Sequence, residues 1–461
     1  MSTLGQTIWD AIRGKEKNFT TGSINRALLL LSIPMILEMV MESLFAVVDV
    51  YFVSRIGTDA VATVGLTETV VTIVYALAIG ISMGATAMVS RRIGEKKPEA
   101  AAEAAFQAIL LSTIVSISIT IVGILYAEDI LRLMGGSESL IASGATYTRI
   151  LLSFNIVITF LFLLNGIFRG AGDANIAMWA LSIANLFNII LDPLLIFGIG
   201  PFPELGLKGA AIATTIGRSI GVAFQLYILL SGSSKIKLAL RHLKVSLQIL
   251  IRLAKISING AWQYMISSIS WIVMMRIIAD FGSEAVAGYT IAIRLIIFTI
   301  LPSWGLSNAA ATLVGQNLGA REPERAEKSV WRAGFYNTLF LVGVSIIFIA
   351  FAKPLISLFS DIPAVVEAGV MALRIICLGY VFFSYGMVVS QSFNGAGDTF
   401  TPMVVNIICF WFIQIPLGFF LAKTMGWGLP GVCWAIVISE TFLAVIVIIL
   451  FRRGKWKEVA I

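Results

Sequence analysis

Residues 168–173 read FRGAGD and residues 393–398 read FNGAGD, 225 positions apart. The same displacement lays RIGTDAVA (55–62) on DFGSEAVA (280–287), and RRIGEKKPEAA (91–101) on QNLGAREPERA (316–326). A displacement held across three separate segments marks an internal duplication. GAGD lacks the preceding strand and the Lys-Ser/Thr ending of a phosphate loop, so it does not read as a nucleotide site. It reads as a tight turn, with glycines reversing the chain and Asp173 or Asp398 capping the next helix. GEKKPEAA and GAREPERA read as a helix stop, a proline near a new start and a short solvated amphipathic helix.

The duplicated chain is apolar. Of 461 residues, 58% are hydrophobic and 13% charged, against roughly 25% charged in soluble domains. Apolar stretches long enough to cross about 30 Å of hydrocarbon recur at 28–54, 62–90, 104–126, 141–168, 174–198, 206–230, 250–279, 286–313, 329–352, 364–394, 400–422 and 430–451. These spacings predict an all-α membrane protein with twelve transmembrane helices. Because the repeat spans six helices, an even number, both copies have the same orientation, related by an axis along the membrane normal. The expected organisation is a cytoplasmic segment 1–27, an N-lobe 28–230, an inter-lobe loop 231–249, a C-lobe 250–451 and a basic tail 452–461. The first residues are amphipathic, without the apolar core and cleavage site of a signal peptide.

Charge sets the expected orientation. With the amino terminus inside, 23 of the 33 Lys and Arg fall on inner segments and 9 on outer ones, which predicts cytoplasmic termini. The net charge of +7 then faces lipid phosphates and implies no nucleic-acid partner. Cys377, Cys409 and Cys433 all lie in spans and read as buried apolar side chains. The one histidine, His242, sits in a loop, and no nucleophile–base pair or metal motif occurs within the spans, so an enzyme is not expected.

The copies differ at a few polar positions. At the same displacement Asp49 meets Met274, Asn188 meets Ile413 and Asp192 meets Leu417; the sixth helices align as GLKGAAIAT (206–214) on GLPGVCWAI (428–436), so Thr214 meets Ile436. Acids needed only to build the six-helix unit would be expected in both copies. An intramembrane acid is a functional candidate by default. Asp49, Asp192 and Thr214 all fall roughly 8–12 Å below the outer surface at 1.5 Å per residue, so one pocket can hold them. Asn185, Asn188 and Asp192 follow i, i+3, i+7 spacing on one face of the fifth helix, and Pro193 frees a carbonyl one turn back. Such oxygens suit Na⁺, or a proton shared by the two carboxylates. Glu38 and Glu42 meet Gln263 and Ser267, and with Asp49 form an acidic stripe on the first helix. Glu38 is expected either on a central cavity facing a cationic substrate or paired with Lys255, Arg252 or Gln263.

Pro34 with VVDVYFVSRIGTDAVATVGL, then GEKKPEAA, NGIFRGAGD, and NIILDP followed by LGLKGAAIAT together resemble the multidrug and toxic compound extrusion (MATE) family, over about residues 24–452. The resemblance implies a V-shaped pair of six-helix lobes exporting amphipathic, often cationic compounds in exchange for Na⁺ or H⁺, in a prokaryotic inner membrane and as a monomer. It places Asp49, Asn188, Asp192 and Thr214 in the cation site of the branch related to the DNA-damage-inducible F proteins. The branch named for norfloxacin has an acid in its seventh helix, whereas NGAWQYMISSISWIVMM (259–275) has none. Alternatives on related folds are a flippase for lipids or lipid-linked oligosaccharides, which calls for a basic cavity, and a metabolite exporter.

Overall fold

The computed structural model describes residues 4–15 and 18–461; residues 1–3, 16 and 17 of the expected amino-terminal segment lie outside the described residues. A short amphipathic helix, Leu4–Arg13, precedes the long ones. The first copy holds α1 (Ile24–Val53), α2 (Thr58–Gly94), α3 (Pro98–Leu133), α4 (Glu138–Ser153 and Asn155–Ala171, bent by 41°), α5 (Ala174–Phe197) and α6 (Leu207–Ser231). The second holds α7 (Leu247–Ala279), α8 (Ser283–Gly319), α9 (Pro323–Ala350), α10 (Pro363–Leu378 and Tyr380–Ala396, bent by 57°), α11 (Phe400–Thr424) and α12 (Leu429–Arg452).

Among the described residues, nine helices, or eleven spans with the two bent pairs, are long and apolar enough to cross a membrane. The remaining long helix, α7, has 33 residues but is diluted by Ser257, Asn259, Gln263 and Ser270. Three of these four are buried against neighbouring helices, so packing and not lipid takes up its polarity. α11 winds in π-helical turns over Ile407–Gln414 and Phe420–Thr424, on either side of Pro416.

The duplication is visible in three dimensions. α1 packs on α5 as α7 packs on α11, α2 on α4 as α8 on α10, and α5 on α6 as α11 on α12. α1 lies along α8, and α2 along α7 and α8, which joins the two lobes. Among the described residues, Lys96 (φ 59°) and Arg321 (φ 62°) are the positive-φ non-glycine residues, and they occupy equivalent positions. The ends of α2 and α8 cross reciprocally: Gly94 lies on the Gln316 carbonyl, and its equivalent Gly319 lies on the carbonyl of Arg91, the equivalent of Gln316. A side chain on either glycine would overlap the partner's backbone. This crossing joins the two lobes at the face of the molecule that carries both described ends of the chain.

GAGD ends α4 and α10 as expected, with Gly172 and Gly397 left-handed at φ 85° and 90°. The aspartates part company. Asp398 accepts from Thr401 N at 3.1 Å and Thr401 Oγ1 at 2.6 Å, a helix-start contact. Asp173 makes no such cap and instead accepts from Ser234 Oγ at 2.7 Å and Lys235 N at 2.9 Å, tying down the loop after α6. The segments after GEKK and GARE are the first turns of α3 and α9 and not separate short helices.

Residues after α12 fold back on the same face. Trp456 is buried, stacked on Phe451 at 4.5 Å, and Lys457 pairs with Glu327 of α9 at 2.5 Å. Arg91 and Arg92 of the first copy donate to the carbonyls of Val459 and Ile461, both at 2.9 Å.

Candidate functional site

α1, α5 and α6 meet near the face opposite the termini, and there the four singled-out residues form one hydrogen-bonded chain. Thr214 Oγ1 donates to Asp49 Oδ1 at 3.3 Å; Asn188 Nδ2 donates to Asp192 Oδ1 at 3.2 Å and to Thr214 Oγ1 at 3.5 Å. Asn188 and Asp192 are fully buried, and Asp49 is half-buried. Small residues permit this approach: Gly217 of α6 sits on the Ala184 carbonyl of α5, beside Asn188.

Asp192 Oδ2 and Asn188 Oδ1 are buried with no hydrogen-bond partner. Buried acceptors are normally satisfied, and leaving one bare costs about 1–3 kcal/mol. Two bare oxygens beside a second carboxylate therefore make a site that favours a positive charge. Among the described residues no three His, Cys, Asp or Glu cluster as a metal site. Two carboxylates with neutral amide and hydroxyl oxygens fit a monovalent cation or a proton.

Asn185 does not join this chain. Its Nδ2 donates to the Met41 carbonyl at 2.7 Å, which fastens α5 to α1. In the second copy Trp411 Nε1 donates to the Ile266 carbonyl at 3.2 Å, and Ile266 is the equivalent of Met41.

The acidic stripe has partners that spacing along one helix could not supply. Glu38 is 1% exposed and pairs with neither Lys255, Arg252 nor Gln263: its Oε1 accepts from Arg169 Nη1 at 2.8 Å and Asn165 Nδ2 at 2.9 Å. Arg169 also donates to Ser82 Oγ at 3.1 Å, and Gln225 Nε2 to Asn165 Oδ1 at 2.5 Å. Glu42 accepts from Arg218 Nη2 at 3.3 Å; Arg218 also donates to Tyr75 OH at 3.4 Å and lies 4.5 Å over the Phe45 ring. Glu38 is thus a buried, ion-paired carboxylate whose Oε2 has no hydrogen-bond partner, and it does not line an open cavity. Arg169 and Arg218 were detectable as the basic residues at the end of the fourth span and within the sixth. Glu68, on α2, is a further exposed acid that the repeat comparison passes over.

Two duplicated six-helix lobes with a polar site in one of them are the architecture of a multi-pass membrane transporter, and the comparisons with known proteins agree. The MatE family model matches residues 34–194 and again 261–420, and the chain belongs to that family. It is 28% identical to a probable multidrug resistance protein NorM of Thermotoga maritima, covering 95% of this chain and 94% of the relative. It is also 28% identical to an FAD transporter of Shewanella oneidensis, covering 93% and 95%. Among solved structures, an outward-facing multidrug resistance MATE family transporter superposes with a TM-score of 0.88 at 28% identity, covering 98% of both chains. A transporter from Pyrococcus furiosus, described as having a binding pocket of reverse polarity that suggests a different function, superposes at 0.89 with 27% identity and full coverage.

Proposed function

We propose that the chain is a cation-coupled antiporter that exports amphipathic, often cationic small molecules, with Na⁺ or H⁺ as counter-substrate. It works as a monomer in a prokaryotic inner membrane, both termini cytoplasmic, by alternating access of lobes 28–230 and 250–451. The observation that carries this reading is the chain Asp49–Thr214–Asn188–Asp192 with its two bare acceptors, built in one copy of a duplicated scaffold and missing from the other.

Two carboxylates in a desolvated pocket repel when both are charged. A cation or proton there stabilises the arrangement that holds α1, α5 and α6 together, and a ligand shifts an equilibrium only through such differential contacts. If the exported compound binds better to the other arrangement, release of one favours uptake of the other. The crossing of α2 and α8 supports an outward-facing assignment for this conformation.

A second reading, export of a metabolite on the same fold, is favoured by the FAD-transporting relative. A pyrophosphate-lipid flippase is less well supported, because the buried Arg169 and Arg218 are already neutralised by Glu38 and Glu42. Proteoliposomes test these readings together. A fluorescent organic cation, FAD and a lipid-linked pyrophosphate are offered in turn under separately imposed Na⁺ and pH gradients. The antiport reading expects gradient-driven movement of the organic cation, abolished by Asp49→Asn and by Asp192→Asn. Undiminished gradient-driven flux in both variants would sink it.

A further inference from the structure

α6 and α12 begin alike, at Gly206 and Gly428 with φ of 54° and 61°, and run in register at a displacement of 222. Eleven residues past Leu207 stands Arg218, and eleven past Leu429 stands Glu440. Equivalent positions near mid-membrane therefore carry opposite charges. Arg218 has a counter-charge in Glu42, donates to Glu42 and Tyr75 through Nη2 and stacks over Phe45, its Nε and Nη1 remaining without hydrogen-bond partners. The equivalents of those three are Ser267, Ile300 and Ser270, and none is basic. Among the described residues Glu440 has no hydrogen bond and no ion pair. Nor are the hydroxyls beside it free to donate: Ser439 Oγ donates to the Cys409 carbonyl at 2.6 Å and Thr441 Oγ1 to the Val437 carbonyl at 2.7 Å.

Glu440 does not point at lipid. The lipid-facing stripe of α12 is Phe442, Val445 and Ile449, each at least 44% exposed. At 100° per residue Glu440 lies about 160° from Phe442, on the face where Ile436, Leu443, Ala444 and Val447 are buried. It is nonetheless partly accessible, so it opens inside the lobe, next to an apolar cluster that includes Cys409, Phe410 and Leu443. An ionised acid in such surroundings is expensive unless a counter-charge meets it.

We propose that Glu440 is the recognition site in the second lobe for the positive charge of a monovalent organic cation. The first lobe has its cation built in, at Arg218; the second leaves the same place for a ligand to fill. A metal ion is a poor occupant, since one carboxylate without a further set of hard oxygens does not replace a hydration shell, and no cluster of metal-ligating side chains exists there among the described residues. A cation with an apolar body suits a lone carboxylate with Leu443 and Ile436 on the same helix face and Cys409 across from it. The role in transport rests on the export reading above, but the binding step can be measured without it.

The test is equilibrium binding to purified full-length protein of two ions of equal size and opposite charge, tetraphenylphosphonium and tetraphenylborate. Wild type should prefer the cation. Glu440→Gln should weaken cation binding by roughly tenfold and leave the anion unchanged or tighter, while Glu440→Asp retains most of the preference. Ser267→Arg places a built-in cation where the first lobe's logic would put a counter-charge, and should also exclude tetraphenylphosphonium with Glu440 intact, which covers the case of a Gln variant that does not fold. No preference in wild type, unchanged cation binding in Glu440→Gln, or equal loss for both ions would each overturn the assignment. Asp49→Asn should keep the binding preference while losing gradient-driven flux, so failure of the coupling reading and failure of this one give different results.

Discussion

Glu38 Oε1 lies 2.8 Å from Arg169 Nη1, and the residues 225 positions later, Gln263 and Asn394, join the equivalent helices by a reciprocal amide pair at 3.0 and 3.2 Å. One cross-link, α1 to α4 and α7 to α10, is written once in charges and once in neutral amides. The first lobe thus has an ion pair where the second has a neutral contact, one helical turn from the Glu42–Arg218 pair and on the helix that carries Asp49.

Removing one partner of a buried pair strands the other, at a cost of about 3–5 kcal/mol. Glu38→Gln or Arg169→Asn alone should therefore destabilise the protein by roughly 3 kcal/mol. The double variant installs the second lobe's own pair and should recover to within about 1 kcal/mol of wild type. Thermal unfolding in detergent completes the cycle; additive losses would mean that the two copies of the cross-link are not interchangeable.

Thr214→Val removes the hydroxyl between Asp49 and Asn188 but neither charge. The cation affinity of the site should fall by about tenfold, near the worth of one hydrogen bond to a charged group, and transport should persist at a raised ion concentration. Complete loss would assign Thr214 a larger part than bridging.

Met274, Ile413, Leu417 and Ile436 give Na⁺ or a proton nothing to bind in the second lobe at the place of the first lobe's chain. Hydrogen exchange, with and without Na⁺ and at two pH values corrected for intrinsic rates, should change mainly in α1, α5 and α6. A response concentrated in α7, α11 and α12 would place the switch in the other lobe.

Gly94→Ala and Gly319→Ala each force a methyl into a carbonyl across the α2–α8 crossing. Overpacking of this kind costs about 1–3 kcal/mol, and the reciprocal geometry predicts nearly equal effects from the two variants. Spin labels on the two lobes at the termini face should report a longer separation in both. A shift in only one would show that the crossing is not mechanically two-fold.

Much of this was legible in the sequence, because a period of 225 and stretches of about 20 apolar residues are one-dimensional signals. Asp49, Asn188, Asp192 and Thr214 stood out as breaks in that period, and they meet. What was hidden is tertiary. Glu38 and Glu42 show their face by spacing along α1, but Arg169 and Arg218 come from helices that no spacing relates to α1. Glu440 escaped for a different reason: the sixth-helix register that sets Thr214 on Ile436 also sets Arg218 on Glu440 four residues later, but only the fold shows that Arg218 has a counter-charge and that Glu440 has none among the described residues.

The residues after α12 are moored in both lobes, by Trp456 and Lys457 in the second and by Val459 and Ile461 at Arg91 and Arg92 of the first, and the shortest run between the two sets is 457–459. Two residue steps of fully extended chain reach only about 7 Å. The length of that rope sets how far the lobes can swing apart at this face before one mooring has to slip: two backbone carbonyls held by guanidiniums on one side, or an aromatic ring sealed against Phe451 and an ion pair on the other.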